Sequence, residues 1–144
     1  GDNASRLYQT LVHDRQLAQD VSAQNQDFRL EGLFTIAVTP KPSITTAAVD
    51  SLLQAELSRV IVSGVTDAEL TRARNVQRTG MLDRLAGVTE RSDQLAYYDY
   101  VVGTPDYVAQ DLARYDHVTL ADIQRVASTY LGAHKVMLTV APQS

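Results

Sequence analysis

Apolar positions fall at helical spacing over most of this chain and at a spacing of two in only three short stretches. Leu7, Leu11 and Ala18 form a weak helical stripe from Ala4 to about Ala18, with Asp2, Asn3 and Ser5 as N-cap candidates. The period then shortens. Val21 and Ala23, followed by Leu33 to Val38, predict two strands of a hairpin turning around Asp27 to Gly32. Pro40 and Pro42 close the second strand, because proline has no N–H to give to a ladder.

Helical spacing returns at Val49, Leu52, Leu53, Leu57, Val60 and Ile61, after Ser43 as a cap and before Gly64 as a stop. Thr66 and Glu69 have the spacing of a capping box and open a third helix running to about Gly87, with Leu70, Ala73, Met81 and Leu85 on one side. Thr89 starts a fourth helix carrying Leu95, Tyr98 and Val102. Thr104-Pro105 starts a fifth with Val108, Leu112 and Tyr115, since proline is well placed in a first turn. Thr119 and Asp122 open a sixth, where Ile123, Val126, Ala127 and Tyr130 follow i, i+3, i+4, i+7 and Gly132 ends the run. Lys135 to Ala141 reads as a closing strand. The fold class is therefore α+β: a small, mainly antiparallel sheet (early hairpin plus C-terminal strand) packed against several helices. Residues 1–144 read as a single domain or as a fragment of a larger α+β unit.

Composition removes several functions. The 144 residues carry 13 basic and 17 acidic side chains, a net charge of -4, with the basic ones dispersed, so no patch suits a nucleic acid. There is no cysteine, which excludes disulfides, thiolate metal sites and a thiol nucleophile. No apolar run approaches the ~20 residues of a membrane-spanning helix, and no signal peptide opens the segment.

Candidate chemistry is sparse. His13, His117 and His134 are too scattered to pair as metal ligands on one helix. Ser5, His13 and Asp14 lack the Gly-x-Ser-x-Gly elbow of a hydrolase triad. Asp111, Asp116 and Asp122 read more simply as helix-terminal carboxylates than as an acid–base pair. Tyr97, Tyr98, Tyr100 and Tyr107 suggest either a stacking surface for a peptide or, more simply, rings packed inward with wet hydroxyls. Arg72, Arg74, Arg78 and Arg84 with Glu69 and Asp83 suggest a solvated helical face, and Gly80 suggests close packing against another element.

Three segments in series carry a resemblance: Ser5-Arg-Leu-Tyr-Gln-Thr-Leu11, Gly64-Val-Thr-Asp-Ala-Glu-Leu70, and Val118-Thr-Leu-Ala-Asp-Ile-Gln-Arg-Val-Ala-Ser-Thr-Tyr-Leu131. In order and spacing the chain resembles a domain of the insulinase/pitrilysin family of inverted zincin peptidases. Nowhere, however, does it contain His-x-x-Glu-His, the zinc motif of such enzymes. Some later domains of that family hold substrate with an Arg and a Tyr in a pattern like Leu-Arg-x-x-x-x-Leu-Gly-Tyr. The matching stretch here is Leu11 to Gln19, with Val12 in place of the Arg and Gln19 in place of the Tyr. Val cannot donate a charged hydrogen bond, and Gln brings an amide where the family has a phenol.

The resemblance thus implies a noncatalytic domain with no catalytic or metal residues of its own and part of a larger peptidase-family unit. It implies zinc in a preceding domain, a zinc-bearing homologous domain or subunit as partner, and a peptide substrate enclosed between them. It also implies a bacterial periplasmic or cell-envelope setting. The family includes scaffolds without proteolytic activity as well, which is the alternative. An open sheet edge or apolar surface would promote self-association of the segment.

Overall fold

The computed structural model describes residues 5–27, 30–132 and 135–140. These divide into two compact units, one built from residues 1–63 and 127–144 and the other from residues 64–126.

The first unit opens with α1 (Arg6–Tyr8), where Ser5 Oγ accepts from Tyr8 N–H at 3.4 Å. Ser5 acts as a cap as expected; Asp2 and Asn3 lie outside the described residues. The helix widens into a π-helical turn over Gln9–Asp14, shown by the Arg15 N–H donating to the Thr10 carbonyl at 3.0 Å. It stops well before Ala18, because Gln16 turns into the left-handed region at φ 52°. The first strand consequently starts earlier than the period suggests: β1 is Ala18–Asp27, antiparallel to β2, Gly32–Pro40.

The register pairs Val21 with Val38 and Ala23 with Ile36, and it slips between Ala18 and Asp20, leaving Gln19 as an extra residue. That bulge has a packing purpose. Ala18 and Val21 are three residues apart, an odd spacing that would send them to opposite faces of a regular strand, yet both are buried. They join Leu11 and Val49 in a small core, with Leu7, Tyr8, Val12, Leu17, Ile36, Val38, Ile44 and Leu52 packed around it.

α2 (Thr46–Ser63) begins at Thr45, whose hydroxyl accepts from Ala48 N–H at 3.3 Å. Ser43 is not the cap; it sits at φ 71° in the turn before it. Gly64, also at φ 71°, follows the helix where a side chain would strain the backbone.

Among the described residues the sheet has two strands only, and Lys135 to Val140 of the expected closing strand pairs with neither; Ala141 lies outside the described residues. Residues 137–140 instead share a shallow apolar groove with Ile36, Val38 and Pro40 of β2 and with Val49 and Leu53 of α2. Without the ladder their side chains stay in solvent, Val136 at 98% and Leu138 at 84% exposure.

In the second unit α3 (Asp67–Ala86) carries the expected capping box. Thr66 Oγ1 accepts from Glu69 N–H at 3.2 Å, and the Glu69 carboxylate accepts from Thr66 N–H at 2.7 Å. α4 (Val88–Val102) starts one residue before Thr89 and without a side-chain cap, and it ends at Gly103, φ 78°. α5 (Val108–Asp116) begins three residues after Pro105 rather than at it. α6 (Leu120–Tyr130), of which residues 120–126 belong to this unit, starts at Thr119, which exchanges hydrogen bonds with Asp122 as expected. Leu70, Met81 and Tyr98 are buried here, whereas Leu95 and Val102 of the predicted apolar stripe are partly exposed. Gly80 faces open space, with no atom within 4 Å of where a Cβ would stand, so it marks no close packing.

Candidate functional site

The stretch from Leu11 to Gln19 is held by buried apolar side chains. Leu11 and Ala18, which frame it, are fully buried, and Leu17 is half-buried. Leu17 also closes the corner through the backbone: its N–H donates to the Leu11 carbonyl and its carbonyl accepts from Lys41 N–H, each at 2.9 Å. The π turn, the left-handed Gln16 and the bulge fall within eleven residues, Gln9 to Gln19. Bulges re-aim a side chain, and this one leaves Gln19 exposed at the sheet rim. Its Nε2 donates to the Pro40 carbonyl at 3.4 Å. Val12, by contrast, is half-buried against the core. Val12 thus presents an apolar side chain to the core, and Gln19 an uncharged amide engaged by backbone.

The other candidates do not assemble a centre. His13 Nδ1 lies 2.9 Å from Asp14 Oδ1 in an exposed pair, while Ser5 Oγ is taken up as a helix cap, so no triad forms. His117 Nδ1 meets the Ala113 carbonyl at 2.6 Å at the end of α5. His134 lies outside the described residues. Among the described residues no three His, Asp or Glu side chains come together as a metal site. No helix of the described residues is long and apolar enough to cross a membrane.

The three aspartates go separate ways. Asp111 accepts from the Tyr98 hydroxyl at 2.9 Å and from Arg114 Nη1 at 3.3 Å. Asp116 pairs with Arg78 at 3.2 Å. Asp122 caps α6, and the Thr119 hydroxyl and then its backbone N–H lower the carboxyl below the ordinary range. The tyrosine cluster centres on Tyr98, with ring centroids 5.6 Å from Tyr107 and 5.9 Å from Tyr97. Its hydroxyl is not wet but bonded. Burial first, then the hydrogen bond to Asp111, pushes its pKa up to about 12.

Two features escaped the sequence reading. Glu56 is buried at 1% exposure and bonded to Arg59 at 2.7 Å. The signal was present, since Glu56 stands one helical step inside the stripe of Val49, Leu52, Leu53 and Val60. The α3 arginines also do more than line a wet face. Arg74 reaches the Val118 carbonyl and Arg78 reaches Asp116, tying α3 to the α5–α6 turn. Arg74 Nε is buried without a partner there.

A hairpin flanked by helices, with neither a metal cluster nor a hydrolase triad assembled among the described residues, gives the described part of the chain an α+β architecture. The chain belongs to the peptidase M16 inactive domain family, whose model matches residues 1–77. This bears out the resemblance read from the three motifs.

The chain is 26% identical over 118 residues to the probable mitochondrial-processing peptidase subunit beta of Arabidopsis thaliana, covering 81% of this chain and 22% of that one. It resembles a protease structure from Helicobacter pylori (TM-score 0.79, 21% identity, 91% of this chain and 31% of that one). It also resembles the inactive peptidase domain of a protein assigned as a zinc protease in Bordetella parapertussis (TM-score 0.77, 24% identity, 92% of this chain and 72% of that one). A protein so assigned in Bordetella pertussis Tohama I is similar at TM-score 0.74 and 25% identity, with 92% of this chain and 72% of that one covered. The chain thus spans about a fifth of its curated relative and under a third of the Helicobacter protease.

Proposed function

We propose that this chain is a structural wall of the substrate chamber in a zinc-dependent metalloendopeptidase, with hydrolysis carried out by a homologous zinc-bearing domain or subunit. The observation that carries the reading is the corner from Leu11 to Gln19. Its framing side chains are buried within the stretch the family model matches, and the two positions that the resemblance pairs with an Arg and a Tyr hold Val12 and Gln19. Neither supplies a cation or a phenol to hold a peptide backbone, so this domain encloses substrate without gripping it. The zinc-activated water and its general base belong to the preceding domain of the parent protein. Residues 1–144 act as one domain or a large part of one; the first compact unit draws on both ends of the chain, which supports that reading.

The partner covers apolar surface in this scheme, and the exposed Val136, Met137, Leu138 and Val140 beside β2 are suited to burial under another chain or domain. The test combines the purified chain with the zinc-bearing part of its own gene product. Chelator-sensitive cleavage of a quenched peptide is expected only in the mixture, with zinc copurifying with the other part. Stoichiometric zinc in this chain, or chelator-resistant cleavage by it alone, would overturn the reading. A stable complex without cleavage would instead favour the scaffold alternative.

A further inference from the structure

On α4, Glu90, Asp93, Tyr97, Tyr100 and Val101 fall at i, i+3, i+7, i+10 and i+11 and so share one helical face. All five are exposed, Tyr97 at 55% and Tyr100 at 76%. The face is firmly mounted. Tyr98, next along the helix, is 3% exposed and anchored to Asp111, and the Tyr97 ring packs against it at 5.9 Å. The helix as a whole carries Glu90, Asp93 and Asp99 against the single guanidinium of Arg91.

We propose that this face docks an arginine-bearing extended segment of a partner protein. Exposed tyrosine faces attract cations through the ring quadrupole, and guanidinium is the cation that stacks on them best. Asp93 lies one turn before Tyr97, in place to pair with the same guanidinium. A purely apolar partner would strip water from Asp93 without offering it a partner, and an acidic one would be repelled. Tyr97 and Tyr100 lie within a turn of one another, a separation that two arginines at i and i+2 of an extended strand, about 7 Å apart, can match. The inference does not depend on the chamber reading and can fail independently of it.

The experiment follows the backbone amide signals of the isotope-labelled chain during titration with acetyl-Ala-Arg-Ala-Arg-Ala-amide and with the same peptide carrying Gln for Arg. The arginine peptide is expected to shift amides from Asp93 to Val101 and the glutamine peptide to leave them unmoved. Tyr97→Leu and Tyr100→Leu keep apolar bulk but remove the ring, and each should weaken binding about fivefold, equivalent to about 1 kcal/mol. Asp93→Asn should weaken it as well, and unchanged signals from the buried α3 residues Leu70 and Met81 verify the fold. Equal response to both peptides, shifts elsewhere, or leucine variants that bind like the parent would overturn the proposal. So would α4 shifts that depend on protein concentration without peptide, since a second copy would then occupy the face.

Discussion

The Tyr98 hydroxyl donates to Asp111 Oδ2 at 2.9 Å and so ties α4 to α5 from a ring that is almost wholly buried. Tyr98→Phe keeps the ring and removes the bond, leaving Asp111 with Arg114 alone. Because the acceptor is charged, the loss should be about 1–3 kcal/mol of unfolding free energy in urea titration. An unchanged midpoint would mean that the bond is replaced by water at no cost.

The same pair predicts a response to alkali. The folded-state pKa of Tyr98 is about 12 against 10.0 for the free side chain. Above pH 10 the unfolded chain releases a proton that the folded chain keeps, so this contribution is full below pH 10 and is lost as pH rises through 12. Denaturant midpoints should fall over that window, and the fall should be smaller in Tyr98→Phe.

The two capping boxes should be separable from one another. Thr66→Ala and Thr119→Ala each remove the oxygen that accepts from an otherwise orphan N–H, and each should cost about 1 kcal/mol in thermal or urea unfolding. The Thr119 box adds an acid dependence. The Asp122 carboxyl is lowered in the folded state, so its contribution is present above the ordinary carboxylate pKa and disappears as pH falls through the lowered value. Asp122→Asn should flatten the stability profile below about pH 4.

Leu11 is fully buried at the centre of the first unit. Leu11→Ala should destabilise the protein by about 2–5 kcal/mol, read by urea unfolding, with the higher end if the π turn above it cannot collapse into the space.

The exposed apolar segment beside β2 should drive self-association. Light scattering on dilution is expected to show reversible oligomers, and Val136→Lys with Leu138→Lys should return the chain to monomer. Monomers at every concentration in the parent chain would remove the idea that this surface seeks a partner.

Where a local rule decided the structure, the sequence was a sufficient guide. The Thr66–Glu69 and Thr119–Asp122 boxes, the hairpin and the positive-φ Gly64 all follow from interactions spanning a few residues. Where packing decided, it was not. The burial of Ala18 together with Val21 and the reach of Arg78 to Asp116 depend on neighbours that periodicity cannot name. The unpaired Lys135 to Val140 fails for the opposite reason: its residues favour a strand, but a strand exists only with a ladder partner. At the candidate site, the sequence shows an apolar Val12 and an amide at Gln19, whereas the bulge that pushes Gln19 out of the ladder could not be read from it.

The corner between Gln9 and Gln19 also stores length. A π turn holds one residue more than the α turn it replaces, and a bulge one more than the strand opposite it. The two insertions lie on either side of the Gln16 bend, so this part of the chain can shorten without disturbing what flanks it. Loss of Gln19 would leave Ala18 and Val21 facing the core on an unbroken ladder and would delete the projecting position altogether. For a domain of this kind, the presence or absence of a side chain at the sheet rim is then a matter of a single codon rather than of a new fold.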